Sequence, residues 1–223
     1  SLFSKRSLII ASAFGLISST FVAATGDGSA YNVAQNQPVK LAAMEGLYKG
    51  QERAGLVTFG ILTPGKKPGD DKETFIFKHE IPKFLSLLGY RDANAFVPGI
   101  DDLVYGNEKY NLISAQEKID IGKIAIENLA LYKQAEKDKN TAEMEYYLAE
   151  FNKHKHYIGY AHFDKPEQIL PNINVAFYSF HLMVMIGMFL IGFSLLTLFL
   201  TMKNKIHKNK WILRLGILSF PLA

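Results

Sequence analysis

The sequence predicts a mainly α, polytopic helical membrane protein: two complete transmembrane helices, the start of a third, and a large mixed α/β extracytoplasmic loop between the first two. Two observations carry this prediction. Two long apolar runs, Ser7–Ala24 and Val175–Met202, bracket all 21 acidic residues, and the sequence outside them carries basic residues only. Lys5 and Arg6 precede the first run, while Lys203, Lys205, Lys208, Lys210 and Arg214 follow the second. Cytoplasmic flanks of membrane helices carry an excess of Lys and Arg, so both basic flanks are expected inside and the polar segment outside.

Whole-chain averages conceal this arrangement, because 48% hydrophobic and 21% charged residues would suit an ordinary soluble protein. With the seven flanking cations set aside, the middle segment holds 18 basic against 21 acidic residues. The net charge of +4 therefore reports topology, and no basic patch points to nucleic acid. Cysteine is absent, so no disulfide holds the outer segment.

Taken in order, residues 1–24 form the first membrane helix, since a span needs about 20 apolar residues. Its Ser and Thr content suits packing against other helices better than exposure to lipid. The same stretch also matches a cleavable secretory signal, with Lys5-Arg6, an apolar run and Val22-Ala23-Ala24. That reading leaves a secreted domain with a C-terminal anchor.

Residues 25–172 make up the outer loop. It is expected to open on a Gly26-Asp27-Gly28-Ser29 turn and pass into a short helix beginning near Pro38, which suits a helix's first turn. Residues 55–62 and 73–79 are β-rich and flank the turn cluster 64–71, predicting a hairpin. Ser114 with Glu117 is a capping-box signature ahead of a helix, and Thr141–Lys155 reads as another after a charged break.

The second span is expected over 173–202, and its 28-residue core without Asp, Glu, Lys or Arg reaches roughly 40 Å, enough to tilt or to project beyond the hydrocarbon. A basic cytoplasmic loop, 203–210, leads to a third apolar run at 211–223, which is about 20 Å long and too short to cross. With no initiating Met, the chain reads as an internal piece of a longer polytopic protein.

Met183 and His181 lie in the second run, and thioether and imidazole both ligate haem iron axially. Two residues apart is about 200° around a helix, so the pair cannot face one haem together. As plain structure, Met183 is one of several packing methionines and His181 a polar contact between helices. Asp27, Lys40 and Glu45 are candidates for a quinol site, which needs hydrogen-bonding groups and a carboxylate able to accept a proton. Lys40 and Glu45 stand about 140° apart on a helix, and otherwise read as a solvated pair. His154, His156 and His162 do not have the spacing of a metal site.

The chain resembles subunit I of the cytochrome bd-type quinol oxidases over nearly its whole length. The matching pieces are Lys5-Arg6-Ser7; Gly26-Asp27-Gly28-Ser29-Ala30-Tyr31; Lys40-Leu41-Ala42-Ala43-Met44-Glu45-Gly46; Glu80-Ile81-Pro82; Gly99-Ile100-Asp101-Asp102-Leu103; Ser179-Phe180-His181-Leu182-Met183-Val184; and Lys210-Trp211-Ile212-Leu213-Arg214. The resemblance implies that 25–172 is the long form of the quinol-binding loop on the outer face of a bacterial inner membrane, between family helices six and seven.

It further implies that Met183 is an axial ligand of the low-spin haem b, with His181 near that haem, and that Asp27, Lys40 and Glu45 line the quinol site. A further haem b, haem d and the oxygen site would belong to the rest of subunit I, with subunit II, membrane quinol and the lipid bilayer as partners. One departure stands out: the family often has Arg at the place of His181, and a His supplies positive charge only when protonated. A two-helix membrane sensor with an extracytoplasmic ligand-binding domain is the competing class.

Overall fold

A computed structural model of the chain describes residues 2–219. It divides into two compact units, one of Ser1–Asn32 with Tyr178–Ala223 and the other of Val33–Phe177.

The first unit is built on two long helices, α1 (Leu2–Asn36) and α7 (Ile173–Met202), both long and apolar enough to cross a membrane. Ser7, Thr25 and Ser29 donate their hydroxyls to carbonyls four residues back, at 3.1 Å each. Such bonds satisfy hydroxyls inside the helix, so a Ser- and Thr-studded segment tolerates apolar surroundings. The helix runs past Ala24. The turn expected at Gly26-Asp27-Gly28-Ser29 is instead helical, because the backbone ladder continues unbroken to Asn36. Gly15 brings α1 close to α7, where an added Cβ would lie 3.0 Å from the Ser194 hydroxyl. A 3-10 turn, Ile206–Lys208, leads into α8 (Lys210–Ser219), whose Ile212 is buried. The last part of the expected third helix, 220–223, lies outside the described residues.

The second unit starts with α2 (Pro38–Glu45), which has Pro in its first turn and ends on Gly46 at φ 62°, a left-handed position that favours glycine. The strand pairs are β1 (Gln51–Glu52) with β4 (Phe96–Val97), and β2 (Leu56–Leu62) with β3 (Phe75–Ile81), both antiparallel. The second pair is the expected hairpin. Two short helices that periodicity did not flag, α3 (Phe84–Tyr90) and α4 (Ile100–Tyr105), complete this part. They span one or two turns each, too short to establish a repeat.

Three apolar clusters hold the front of the unit: Leu41, Ala54, Leu85 and Val97 with Ala34; Ala42, Tyr48, Ile100, Leu103 and Val104; and Val57, Leu62 and Phe177. Asp102 ties the segment after α2 to the start of α4, its Oδ2 accepting the Gly50 amide at 2.8 Å and the Gly99 amide at 2.9 Å.

Helix α5 (Ala115–Lys137) begins at the Ser114–Glu117 capping box, and α6 (Thr141–His154) begins at Asn140, whose side chain accepts from Glu143. A 3-10 segment, Lys155–His162, folds back on α5, where Gly122 admits the Tyr157 carbonyl at closer than side-chain distance. No residue of α6 is buried.

Candidate functional site

Helix α2 buries Leu41, Ala42, Ala43 and Glu45, so the carboxylate belongs to the same inward stripe as the core residues. Glu45 is 2% exposed. Its carboxyl accepts a hydrogen bond from the Val57 amide of β2, while Oε2 has no hydrogen-bond partner. Burial dominates that single bond and pushes the Glu45 pKa from 4.5 up to about 8. An under-satisfied carboxyl inside a packed core costs free energy, and such positions cluster at functional sites.

The surroundings are apolar and close. An added Cβ on Gly46 would lie between 3.0 and 3.2 Å from Leu62, Phe75 and Phe177, so the chain leaves Glu45 through a passage only glycine fits. Phe75 and Phe177 pack with ring centroids 5.7 Å apart. Three residues beyond Glu45, Tyr48 is also buried, and its phenol is raised above the ordinary value by burial first and then by Asp101 and Asp70.

The other predicted residues are placed differently. Lys40 is on the exposed face of α2, so the helix separates it from the Glu45 carboxyl as its spacing requires. Asp27 is half-buried on α1 and belongs to the first unit. On α7, Met183 is 61% exposed whereas His181 is 7% exposed. The His181 ring meets Phe180 edge-on at 5.5 Å. Of the two, only the Met183 thioether is presented outward, where a group could reach its sulfur, and His181 is packed. Among the described residues no three His, Cys, Asp or Glu side chains gather as a metal site, His154, His156 and His162 included.

The sequence profile of the cytochrome bd terminal oxidase subunit I family matches residues 1–223. The chain belongs to that family. It is 29% identical over 225 residues to cytochrome bd-II ubiquinol oxidase subunit 1 of Escherichia coli (strain K12), covering 97% of this chain and 42% of the relative. It is 24% identical over 223 residues to cytochrome bd ubiquinol oxidase subunit 1 of Bacillus subtilis (strain 168), covering 98% of this chain and 35% of the relative. The chain thus spans less than half the length of these cytochrome bd subunits.

Two side-chain groups in the second unit were given no role from the sequence, although Asp102 lies in the matching piece Gly99-Ile100-Asp101-Asp102-Leu103. Lys66, within the turn cluster 64–71, is buried against Tyr48, and Asp102 anchors Gly50 across 52 residues. The only sequence signal for Lys66 was its place in a turn rich in Lys, Asp, Gly and Pro.

Proposed function

We infer that this chain is the quinol-oxidising segment of a cytochrome bd-type terminal oxidase, which passes electrons from membrane quinol toward oxygen. The observation that carries the reading is Glu45: a buried carboxyl with a free oxygen and a pKa near 8, on a helix whose Lys40-to-Gly46 piece resembles the family's quinol site.

A base works best when its pKa lies near the working pH. At pH 7 roughly a tenth of a group with that pKa is ionised, and the ionised form is basic enough to take a quinol hydroxyl proton. The neutral form donates a hydrogen bond through its own proton and anchors the head group. Lys40, on the exposed face of the same helix, hydrogen-bonds the quinol as it approaches. The charge partition of the chain supports an outer-face position for this loop, from which protons would leave to the outside.

Met183 is the residue that would hold the low-spin haem b, through its thioether sulfur. Such a haem would supply one-electron transfer, at a potential that a thioether ligand tends to raise. The other haems, subunit II and the remainder of subunit I complete the oxidase around this segment, in a lipid bilayer and without nucleic acid. A third helix, α8, begins only seven residues after α7, which favours a polytopic oxidase over a two-helix sensor.

The test is a reduced-minus-oxidised optical spectrum and a quinol turnover assay on the complete oxidase. Met183→Leu is expected to remove or shift the low-spin b signal. Glu45→Ala is expected to keep that signal and to lower quinol turnover by about a hundredfold or more. Wild-type spectra and turnover in both variants would refute both assignments.

A further inference from the structure

A lysine in a surface turn normally keeps its ammonium in water, yet the Lys66 side chain is 3% exposed. Its three donors are fully used: the Asp70 carbonyl at 3.0 Å, Asp70 Oδ1 at 3.1 Å and the Lys72 carbonyl at 2.6 Å. The ammonium also sits 4.7 Å from the centroid of the Tyr48 ring, and the Tyr48 hydroxyl donates to the Lys66 carbonyl at 3.3 Å. Burying a charge is costly unless it is completely paired, so this turn is shaped around Tyr48.

Tyr48 lies three residues after Glu45 and is held from a second side. Its carbonyl accepts the Asp101 amide at 2.9 Å, and the Leu47 carbonyl accepts the Ile100 amide at 2.9 Å. The same turn reaches α4 directly, through the Gly69 amide on Asp101 Oδ1 at 2.8 Å and the Tyr105 hydroxyl on the Pro68 carbonyl at 3.3 Å. The strand entering the turn, β2, is the one whose Val57 amide bonds the Glu45 carboxyl. One end of β2 therefore touches Glu45, and the turn at its other end clasps the residue that closes the reversal after Glu45.

We propose that Lys66 is a positioning residue for quinol oxidation: by clasping the β2–β3 turn onto Tyr48, it holds the reversal after α2 and keeps the Glu45 carboxyl registered against β2. It does not touch the quinol. The inference rests on the reading of Glu45 as the group that engages quinol.

The experiment measures kcat and KM with a soluble short-chain quinol in the complete oxidase, for Lys66→Met, Lys66→Arg, Tyr48→Phe and Glu45→Gln. Direct haem reduction by dithionite and resistance to thermal unfolding are followed in parallel. Misplacing a reacting group by a fraction of an ångström is enough for Lys66→Met to lower kcat about tenfold. Lys66→Arg, which keeps a cation over the ring, recovers most of that loss, and dithionite reduction is unchanged throughout.

If Lys66→Met lowers thermal resistance but leaves kcat and KM at wild-type values while Glu45→Gln stops turnover, the clasp is merely structural and the proposal is overturned. If Glu45→Gln itself turns over normally, the reading of Glu45 fails instead. Should Lys66→Met not assemble, Tyr48→Phe, which removes one hydroxyl, decides: reduced kcat supports the clasp and unaltered kcat overturns it.

Discussion

Apolar side chains meet opposite fates in the two units. In the most apolar windows of α1 and α7, only 6% and 11% of the residues are buried, and Phe14, Ile17, Leu182, Met188 and Phe199 project outward. In the unit of residues 33–177, Leu41 and Val97 are buried in one cluster, Ile100 and Leu103 in another, and Ile119 is buried as well. The residue types are the same and the solvent is different. Water excludes apolar surface into a core, whereas helices that satisfy their own backbone groups keep apolar surface outward in lipid.

The contrast extends to polar groups. In the membrane unit, hydroxyls bond back to their own helix, and those bonds are local. In the unit of residues 33–177, the buried Glu45 and Lys66 side chains and the half-buried Asp102 meet Val57, Tyr48 and Gly50, which are distant in sequence, so their energetics depend on the whole fold.

The largest expected effect is a charge placed on an outward position of α7. Met188→Lys should cost about 2.5–3.5 kcal/mol of insertion free energy and lower the membrane-inserted fraction of the complete subunit. The equally exposed Tyr146→Lys on α6 should stay within about 0.5 kcal/mol, as a water-facing position does. Equal losses for the two would abolish the distinction between the units.

Next comes the core of the unit 33–177. A Cβ on Gly99 would fall 2.5 Å from the Gly50 nitrogen and against the Tyr48 carbonyl, so Gly99→Ala should destabilise the loop unit by about 1–3 kcal/mol. Limited proteolysis should show the loop opening, while the low-spin b spectrum that we propose depends on Met183 persists.

A pH dependence follows from Glu45. Between pH 4.5 and about 8 the unfolded carboxyl has lost a proton that the folded one retains, so stability falls as pH rises through that window and levels off above it. Proteolytic resistance of the loop, compared with that of Glu45→Gln, should decline across the same range. A flat difference would show that Glu45 is solvated. The smallest effect is Ser114→Ala, which removes the α5 cap and should cost about 1 kcal/mol, visible as earlier unfolding of α5.

Much of the architecture was legible because its causes are local. Pro38 at the start of α2, the Ser114–Glu117 box at α5 and the turn cluster between β2 and β3 each act within a few residues. The misreading at Gly26–Ser29 arose because two glycines signal a turn, whereas helix continuing on both sides holds them in the ladder. For the site, the resemblance named Glu45 and Met183 but could not distinguish their surroundings: a buried carboxyl in one case, an outward thioether in the other.

The order of charges and the length of apolar runs established where the chain is suited to lipid and where to water, since hydropathy accumulates along consecutive residues. The burial of Glu45 beside an exposed Lys40, and the clasp of Lys66 on Tyr48, came from folding, because each depends on β2 and its turn packing against α2. Desolvation is set by which atoms surround a group in space, and that is a property of the packed unit.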